Sequence, residues 1–583
     1  MTPLRPIGHA LAQRSLPAWL ALVAALALVP ALDGGFQLDD HFQRFRLLGL
    51  GGPAIQLFVF QDGDVAKNAR AIDQGGLPWW TAPDFRHASL RYLSVLTMQL
   101  DHALWPHRPE LMHLHSLVWL AALVAAAALL YRSLLGASWV AGLAALLYAV
   151  DDAHALPAAY LANRNALIAT GFGVTSLLCF ARSRAGDARW SARLAPLLLA
   201  LALAAGELAL ATAAYLLAYA LFLDRGTIRA RLRALTPSGV VLASWALVYK
   251  LGGFGSTHSG FYREPLADPL AFARAALERI PLLVMGQWTP VPSDYGSAVV
   301  PGSEAAIALR GMGLATIALL VVLFAPLVRR DRVSRFFALG AALSLLPIAA
   351  VGPQDRLLFF VGLGSMGLLA QLVHASFSRP AALAVRAVAV ALLGVHLLLA
   401  PWATLRWIAF QERASAKMIA AVASVPADPA LAEQDLILVN PPDYVYVVTA
   451  IAPMKRVAGL PSPRRIRALA AVPSALEVTR VDARTLHVRL EPGLFRGPFT
   501  RYHRAEELRF TVGDRIELTG FAVEILGLND AGDPNELSYR FAVPLEDPTL
   551  RWLAWQDGLY VPWTPPAPGA TVRLPAPEGV FGA

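Results

Sequence analysis

The chain has 583 residues, 56% of them hydrophobic and 16% charged, with a mean hydropathy of +0.50. A soluble domain carries about 25% charged residues, so the composition excludes an ordinary water-soluble protein and predicts a polytopic α-helical membrane protein. The net charge of +9 does not argue for nucleic acid, because most basic residues sit in short clusters between apolar runs, where cytoplasmic loops gather them. Cys179 is the single cysteine, which excludes an intrachain disulfide.

In chain order, Arg5 and Arg14 precede an apolar run over 15–32 with no clear cleavage site. At 1.5 Å per residue it crosses a core of about 30 Å, and it reads as an uncleaved first span. The stretch 33–110 is then an outer loop that opens on Gln37-Leu38-Asp39-Asp40-His41-Phe42. Within it, Pro78-Trp79-Trp80 is expected at the membrane interface and 88–104 as an amphipathic element on the surface. Runs at 112–131, 139–150 and 164–181 predict the next spans, with Arg132 inside. A basic cluster follows: Arg182, Arg184, Arg189 and Arg193, opposed by Asp187 alone. The stretch 194–223 is broken at Gly206-Glu207 and ends at Arg225, Arg229, Arg231 and Arg233. It predicts a hairpin of two short spans whose bend reaches the outer side.

Segment 235–252 leads out again, and 253–305 is a Gly- and Pro-rich loop with an interfacial helix at 269–287. Segment 306–328 returns to Arg329, Arg330, Arg332 and Arg335, followed by 335–351, by 357–376 down to Arg379, and by 381–402. The expectation is about eleven spans in a transmembrane domain over 1–410, with the N-terminus cytoplasmic. The region 416–583 is expected as an extracytoplasmic β-rich domain, periplasmic for a protein of the bacterial inner membrane. Its alternating apolar residues Leu476/Val478, Leu486/Val488/Leu490, Ile516/Leu518, Phe521/Val523/Ile525 and Tyr539/Phe541/Val543 read as an antiparallel meander, with a turn at Asn529 to Gly532.

This topology is drawn from arginines alone, yet it gathers most other polar residues on one face. Asp39, Asp40 and His41 fall on the outer side, with Asp151, Asp152, His154, Asn163, Arg164, Glu207, His258, Tyr262, Asp355 and Arg356. Ionisable groups are costly inside lipid and mark functional surfaces. Moving a sugar from a lipid phosphate needs a carboxylate to take the acceptor's proton. It also needs positive charge on the departing phosphate, for which the guanidinium fork is suited. The same acids, with His41 and His154, are of the types that ligate a divalent metal, although no tight ligand spacing marks a site.

Leu38-Asp39-Asp40-His41-Phe42 resembles the acidic first-loop motif of GT-C membrane glycosyltransferases. It is similar to the Phe-Asp-Glu-x-His-Phe of the protein O-mannosyltransferases. Leu90-Arg91-Tyr92-Leu93 with Asp101 and His113–Leu117 resembles stretches of the transmembrane and TPR-containing O-mannosyltransferases. So do His154 with Asn163-Arg164-Asn165-Ala166-Leu167, Ala205-Gly206-Glu207, and Asp355-Arg356-Leu357-Leu358-Phe359. The resemblance covers roughly 30–375 and lacks the TPR array.

It implies a membrane glycosyltransferase using a polyprenyl-phosphate sugar donor and a glycan, lipid or protein acceptor. Asp40 or Asp39 would be the catalytic base, and Arg164 and Arg356 would hold the donor phosphate. His41, Arg91, Asp151, Asp152, His154, Asn163, Glu207 and Asp355 would line the cavity. The other class left open is a transporter, a flippase or a non-catalytic envelope-assembly protein. Against it stand the absence of internal symmetry and the one-sided placement of the ionisable residues.

Overall fold

The computed structural model describes residues 5–186, 190–299, 302–378, 382–496 and 499–581. Asp187, Arg189 and Arg379 of the expected cytoplasmic clusters lie outside these. Among the described residues, seven helices are long and apolar enough to cross a membrane. They are Leu16–Gly34, Pro109–Leu135, Leu161–Ala185, Ile228–Leu251, Glu304–Arg330, Phe359–Ser378 and Leu383–Ser424. Trp139–Ala149 and Asp152–Ala159 are apolar and long enough only as a pair, and are bent by 43° at the break between them. Ser191–Ala205 and Glu207–Phe222 are shorter apolar helices, and Arg332–Ile348 fills the remaining expected place. The chain is a polytopic α-helical membrane protein.

Helix starts follow their sequence signals. The side chains of Ser138, Thr227, Ser303 and Asp331 each accept a backbone N–H at the first turn of the helix that follows. Burial sorts the bundle: Phe359–Ser378 and Leu161–Ala185 are 89% and 78% buried over their apolar windows, whereas Ile228–Leu251 is 6% buried. The first two form the bundle's centre, and the last presents its apolar side chains to lipid. Small residues allow close approach in the centre. A side chain on Gly142 would strike the backbone of Leu11, and one on Gly364 the backbone of Phe337.

Three short strands lie beside the bundle: β1 (Val59–Asp62), β2 (Arg86–Ala88) and β3 (Gly255–Thr257), antiparallel in the order β1-β2-β3. They bring the first loop against the Gly-rich loop after Ile228–Leu251, a pairing the sequence reading does not anticipate. Helix Tyr92–Leu104 carries an exposed stripe of Leu96, Leu100 and Leu104, as suits a surface-lying element.

The C-terminal region is two sheets. β4 (Asp435–Leu438) and β5 (Arg465–Ala468) are parallel and flank the helix Thr449–Val457. β6 (Ala475–Arg480), β7 (Thr485–Glu491), β8 (Arg515–Leu518), β9 (Phe521–Leu528) and β10 (Pro534–Phe541) follow. β11 (Leu550–Gln556), β12 (Leu559–Pro562) and β13 (Thr571–Leu574) complete the set. The strands expected as a meander form the antiparallel sheet β13-β6-β7-β10-β9-β8, in which β7 pairs with β10 and not with β8, so the sheet is antiparallel but not a simple meander. The second sheet, β12-β11-β4-β5, is mixed, with β11 parallel to β4.

The first loop docks on this region rather than on the membrane. Trp79 and Trp80 are 5% and 1% exposed. Their indole N–H groups donate to Leu469 O at 3.3 Å and Thr500 O at 3.2 Å. The Tyr444 hydroxyl donates to the carbonyls of Gly75 and Leu77. The interfacial placement expected for Pro78-Trp79-Trp80 is thus corrected: the indoles are seated in the C-terminal core, where their polar tips find backbone acceptors.

Candidate active site

A cavity of about 430 Å³ lies where the first loop, the bundle and the C-terminal region meet. The loop supplies Asp39, His41 and Arg91; the bundle Asn163, Glu207 and Arg356; the C-terminal region Tyr446, Tyr502 and His503. Trp245, Tyr249 and Leu266 also line it, Leu266 being 66% exposed.

Asp39 begins the helix Asp39–Leu47, directly after Leu38 at φ 40 and ψ −112. A non-glycine residue there is strained by roughly 1–3 kcal/mol and needs support from its surroundings. The Asp39 N–H donates to the Tyr160 hydroxyl at 3.0 Å. Its carboxyl is pushed above the usual range by burial, against the opposing pull of Tyr160 and Arg356. A carboxylate so shifted is a better proton acceptor.

Asp40 faces the other way and is not on the cavity wall. Its Oδ2 accepts the Gln37 N–H at 3.0 Å and its Oδ1 the Ala162 N–H at 2.8 Å. Burial pushes it up to about 8, against those two N–H groups. His41 is held down to about 4 by burial and Arg44 and leaves Nε2 unpartnered, so it stands neutral at pH 7.

Arg356 precedes the span Phe359–Ser378. Its Nε donates to Gln354 Oε1 at 2.9 Å and one terminal nitrogen to Asn163 Oδ1 at 2.6 Å. Both partners are neutral amides. Among the described residues no carboxylate lies within ion-pair distance, so its charge is oriented but not neutralised. Arg91 differs: its Nε donates to Glu207 Oε2 at 2.8 Å, while Glu207 Oε1 accepts the Leu90 N–H at 3.1 Å. The Arg91 guanidinium lies 5.2 Å from the centre of the Phe58 ring.

Arg164, expected on the donor phosphate, is 1% exposed and off the cavity wall. It donates to Ser116 Oγ, to Asp101 and to the Met112 carbonyl, while Asp101 also bonds His115. These acceptors satisfy it as a structural cation. Four more expected cavity residues also lie off the wall. Asp151 accepts from Ala153 N and Gln287 Nε2. Asp152 is half-buried beside it. His154 is packed between Tyr148 and Phe359, at 4.8 and 4.9 Å between ring centres. Asp355 accepts both the N–H and the hydroxyl of Ser293. His258 pairs with Asp84 on the surface, whereas Tyr262 lines the cavity.

The aromatic wall is what the sequence reading misses. His87 on β2 hydrogen-bonds the Tyr502 hydroxyl and lies 4.4 Å from Tyr262, ring centre to ring centre. Burial and the charges of Arg91 and Arg356 hold it down to about 3, hence neutral. Tyr446 follows Asp443, whose carboxylate accepts the Tyr446 N–H at 2.7 Å. No pattern around 446 or 502 marks either as a cavity residue, because both reach it only through the docking of the two regions. Among the described residues, no group of three or more His, Cys, Asp or Glu stands close enough together to hold a metal ion, so no step is assigned to one.

No protein-family model and no curated protein matches the chain. Among solved structures, it is similar to the Archaeoglobus fulgidus oligosaccharyltransferase in its apo form, at 11% identity and a TM-score of 0.38, over 79% of this chain and 65% of that one. It is also similar to ArnT from Cupriavidus metallidurans bound to undecaprenyl phosphate, at 13% identity and 0.37, over 77% and 89%. A third is the Archaeoglobus fulgidus oligosaccharyltransferase AglB with an inhibitory peptide and a dolichol-phosphate, at 13% and 0.36, over 77% and 64%. The chain thus spans just under two thirds of these archaeal proteins. At such identities and scores these likenesses assign neither an activity nor a role to any residue.

Proposed function

We propose that this chain is a GT-C-like membrane glycosyltransferase that moves a sugar from a polyprenyl-phosphate donor to an acceptor hydroxyl or amine. The observation that carries the reading is the pairing, on one cavity, of a half-buried carboxylate with an arginine held by two amides and by no acid. The acceptor attacks the anomeric carbon and its proton passes to Asp39. The bond from that carbon to the phosphate oxygen breaks, its electron pair stays on the phosphate, and Arg356 stabilises the charge. Arg91, half committed to Glu207, adds positive potential. Trp245 and Tyr249 of the lipid-facing helix Ile228–Leu251 line the cavity, which supports a donor whose polyprenyl tail stays in the bilayer while its phosphate reaches Arg356.

The cavity faces the periplasm of a bacterial inner membrane in this reading, with the N-terminus cytoplasmic. The arginines support it. In Leu161–Ala185, Asn163 and Asn165 lie in the first turns and Arg182 and Arg184 in the last. In Ile228–Leu251 the order reverses, with Arg229, Arg231 and Arg233 first and Trp245 and Tyr249 toward the end. Both place their arginine clusters at the end away from the cavity, and Arg164, at the cavity end, is paired with Asp101.

The test is transfer from radiolabelled polyprenyl-phosphate sugars to membrane acceptors in vesicles, beside mass spectrometry of lipid-linked sugars in cells with and without the protein. Label transferred from one donor class supports the reading. Accumulation of a lipid-linked sugar on one side of the membrane, without any missing glycan, favours a flippase instead.

A further inference from the structure

Asp40 sits beside the proposed base but takes no part in the cavity wall, and what it holds together is specific. Its bond to the Gln37 N–H closes the turn in which Leu38 adopts φ 40. Its bond to the Ala162 N–H crosses to the turn Leu161–Asn163, 122 residues away in the chain. That second turn is attached to both reacting groups. On one side of it the Tyr160 hydroxyl accepts the Asp39 N–H. On the other, Asn163 Oδ1 accepts from Arg356. The turn therefore stands between base and phosphate ligand, and Asp40, 3% exposed, is the side chain that locks it to the segment carrying the base.

We propose that Asp40 is a positioning residue that sets the distance from Asp39 to Arg356 by stitching the Gln37–Asp40 turn to the Tyr160–Asn163 turn. The proposal rests on the transferase reading. An aspartate is suited to the task because in its ionised form, which the two N–H groups favour, each carboxylate oxygen accepts one of two backbone N–H groups from different turns. Asparagine accepts only one, and its NH₂ would then face the other N–H, so Asp40→Asn opens one side of the stitch while keeping the side chain's shape. Reacting atoms must meet within ~3–3.5 Å, and a shift of about 1 Å costs about 100-fold. Arg356 keeps Asn163 and Gln354 in the variant, so the phosphate still binds.

Three measurements on the full chain in nanodiscs decide it. For Asp40→Asn, kcat falls about 100-fold, while the affinity for decaprenyl phosphate stays within about threefold of wild type, as remote shifts of the base leave ground-state binding intact. In the Asp39→Asn background, Asp40→Asn costs nothing further, because a positioning residue acts only through the group it positions. Hydrogen exchange rises together in the peptides covering 36–41 and 158–164 and nowhere else.

Full additivity of the two substitutions, or exchange that rises in only one of the two peptides, overturns the proposal. If wild type transfers no sugar from any donor, the transferase reading fails on its own, while the coupled exchange still decides whether the stitch exists. If Asp40→Asn does not insert, Tyr160→Phe removes the parallel bond to Asp39, and the same paired rise in exchange is required of it.

Discussion

Replacing Asp39 by asparagine tests the reaction at its centre. The wall of the cavity carries three carboxylates among its described residues: Asp39, Glu207 and Glu264. Glu207 is committed to Arg91 and to the Leu90 N–H. Glu264 lies beside Gly255 at the far rim and is pushed up chiefly by burial. Neither Asp39 nor Glu264 has an ion-pair partner among the described residues, and of the two Asp39 is the one that feels Arg356. Asparagine preserves its shape and removes its basicity, so the expected loss is that of a general base, about 10²–10⁴ in kcat. At 1.36 kcal/mol per tenfold this is roughly 2.7–5.4 kcal/mol of barrier. Folding should change little, because the substitution withdraws a charge from a half-buried site and leaves the backbone bond to Tyr160 intact. The assay is single-turnover transfer in vesicles, normalised to folded protein by size-exclusion profile. Asp39→Asn within tenfold of wild type, with Glu264→Gln inactive, would refute the assignment and move the base to the β3 side of the cavity.

Other outcomes follow from the same geometry. Arg356→Gln removes a positive charge that favours ionised Asp39, so the Asp39 carboxyl rises further; since the base acts only when ionised, the acidic limb of the pH–rate profile moves to higher pH, and an unmoved limb would place Arg356 away from the base. Arg164→Ala leaves Asp101 buried without its cation and should cost about 3–5 kcal/mol of stability; the double replacement Arg164→Met, Asp101→Leu should recover most of it in thermal unfolding of detergent-solubilised protein. Trp80→Ala empties an indole site at the junction of first loop and C-terminal region, a loss of about 3–5 kcal/mol, and should expose the segment near Thr500 to limited proteolysis while the helical bundle stays intact.

The bundle was legible because its signals are one-dimensional. Each apolar run is long enough to read alone, and arginine clusters such as Arg229, Arg231 and Arg233 mark a helix end without reference to any other segment. The antiparallel sheet was legible for the same reason: β7 alternates buried and exposed residues along Thr485–Glu491. β4 was not. Its residues Asp435 to Leu438 are all buried, as expected of a strand covered on both faces, and such a run carries no alternation to detect. β1, β2 and β3 are too short to announce themselves, and they form only because two distant loops meet.

The candidate site was legible as motifs but not as residues, and three adjacent pairs explain why. In Asp39-Asp40, Asn163-Arg164 and Asp355-Arg356, one member lines the cavity and its neighbour is buried in structural bonds. Successive residues in a helical turn point about 100° apart, so adjacent polar residues at a helix start take different surroundings, and in these three pairs only one member reaches the cavity. A sequence gives the pair and not its rotation. The rotation is set by what the other member binds: the Ala162 N–H for Asp40, Asp101 and Ser116 for Arg164, Ser293 for Asp355. None of these partners lies near its pair in the chain, and two of them are serines that no motif singles out. The polar motifs therefore divide the work between the pocket and the joints that hold the pocket's walls together. A charge at such a motif is as well explained by a joint as by chemistry until its neighbour's partner is known. That division makes the contrast between Asp39→Asn and Asp40→Asn more informative than either alone: one removes the base, the other loosens the joint, and only the first should be indifferent to the second.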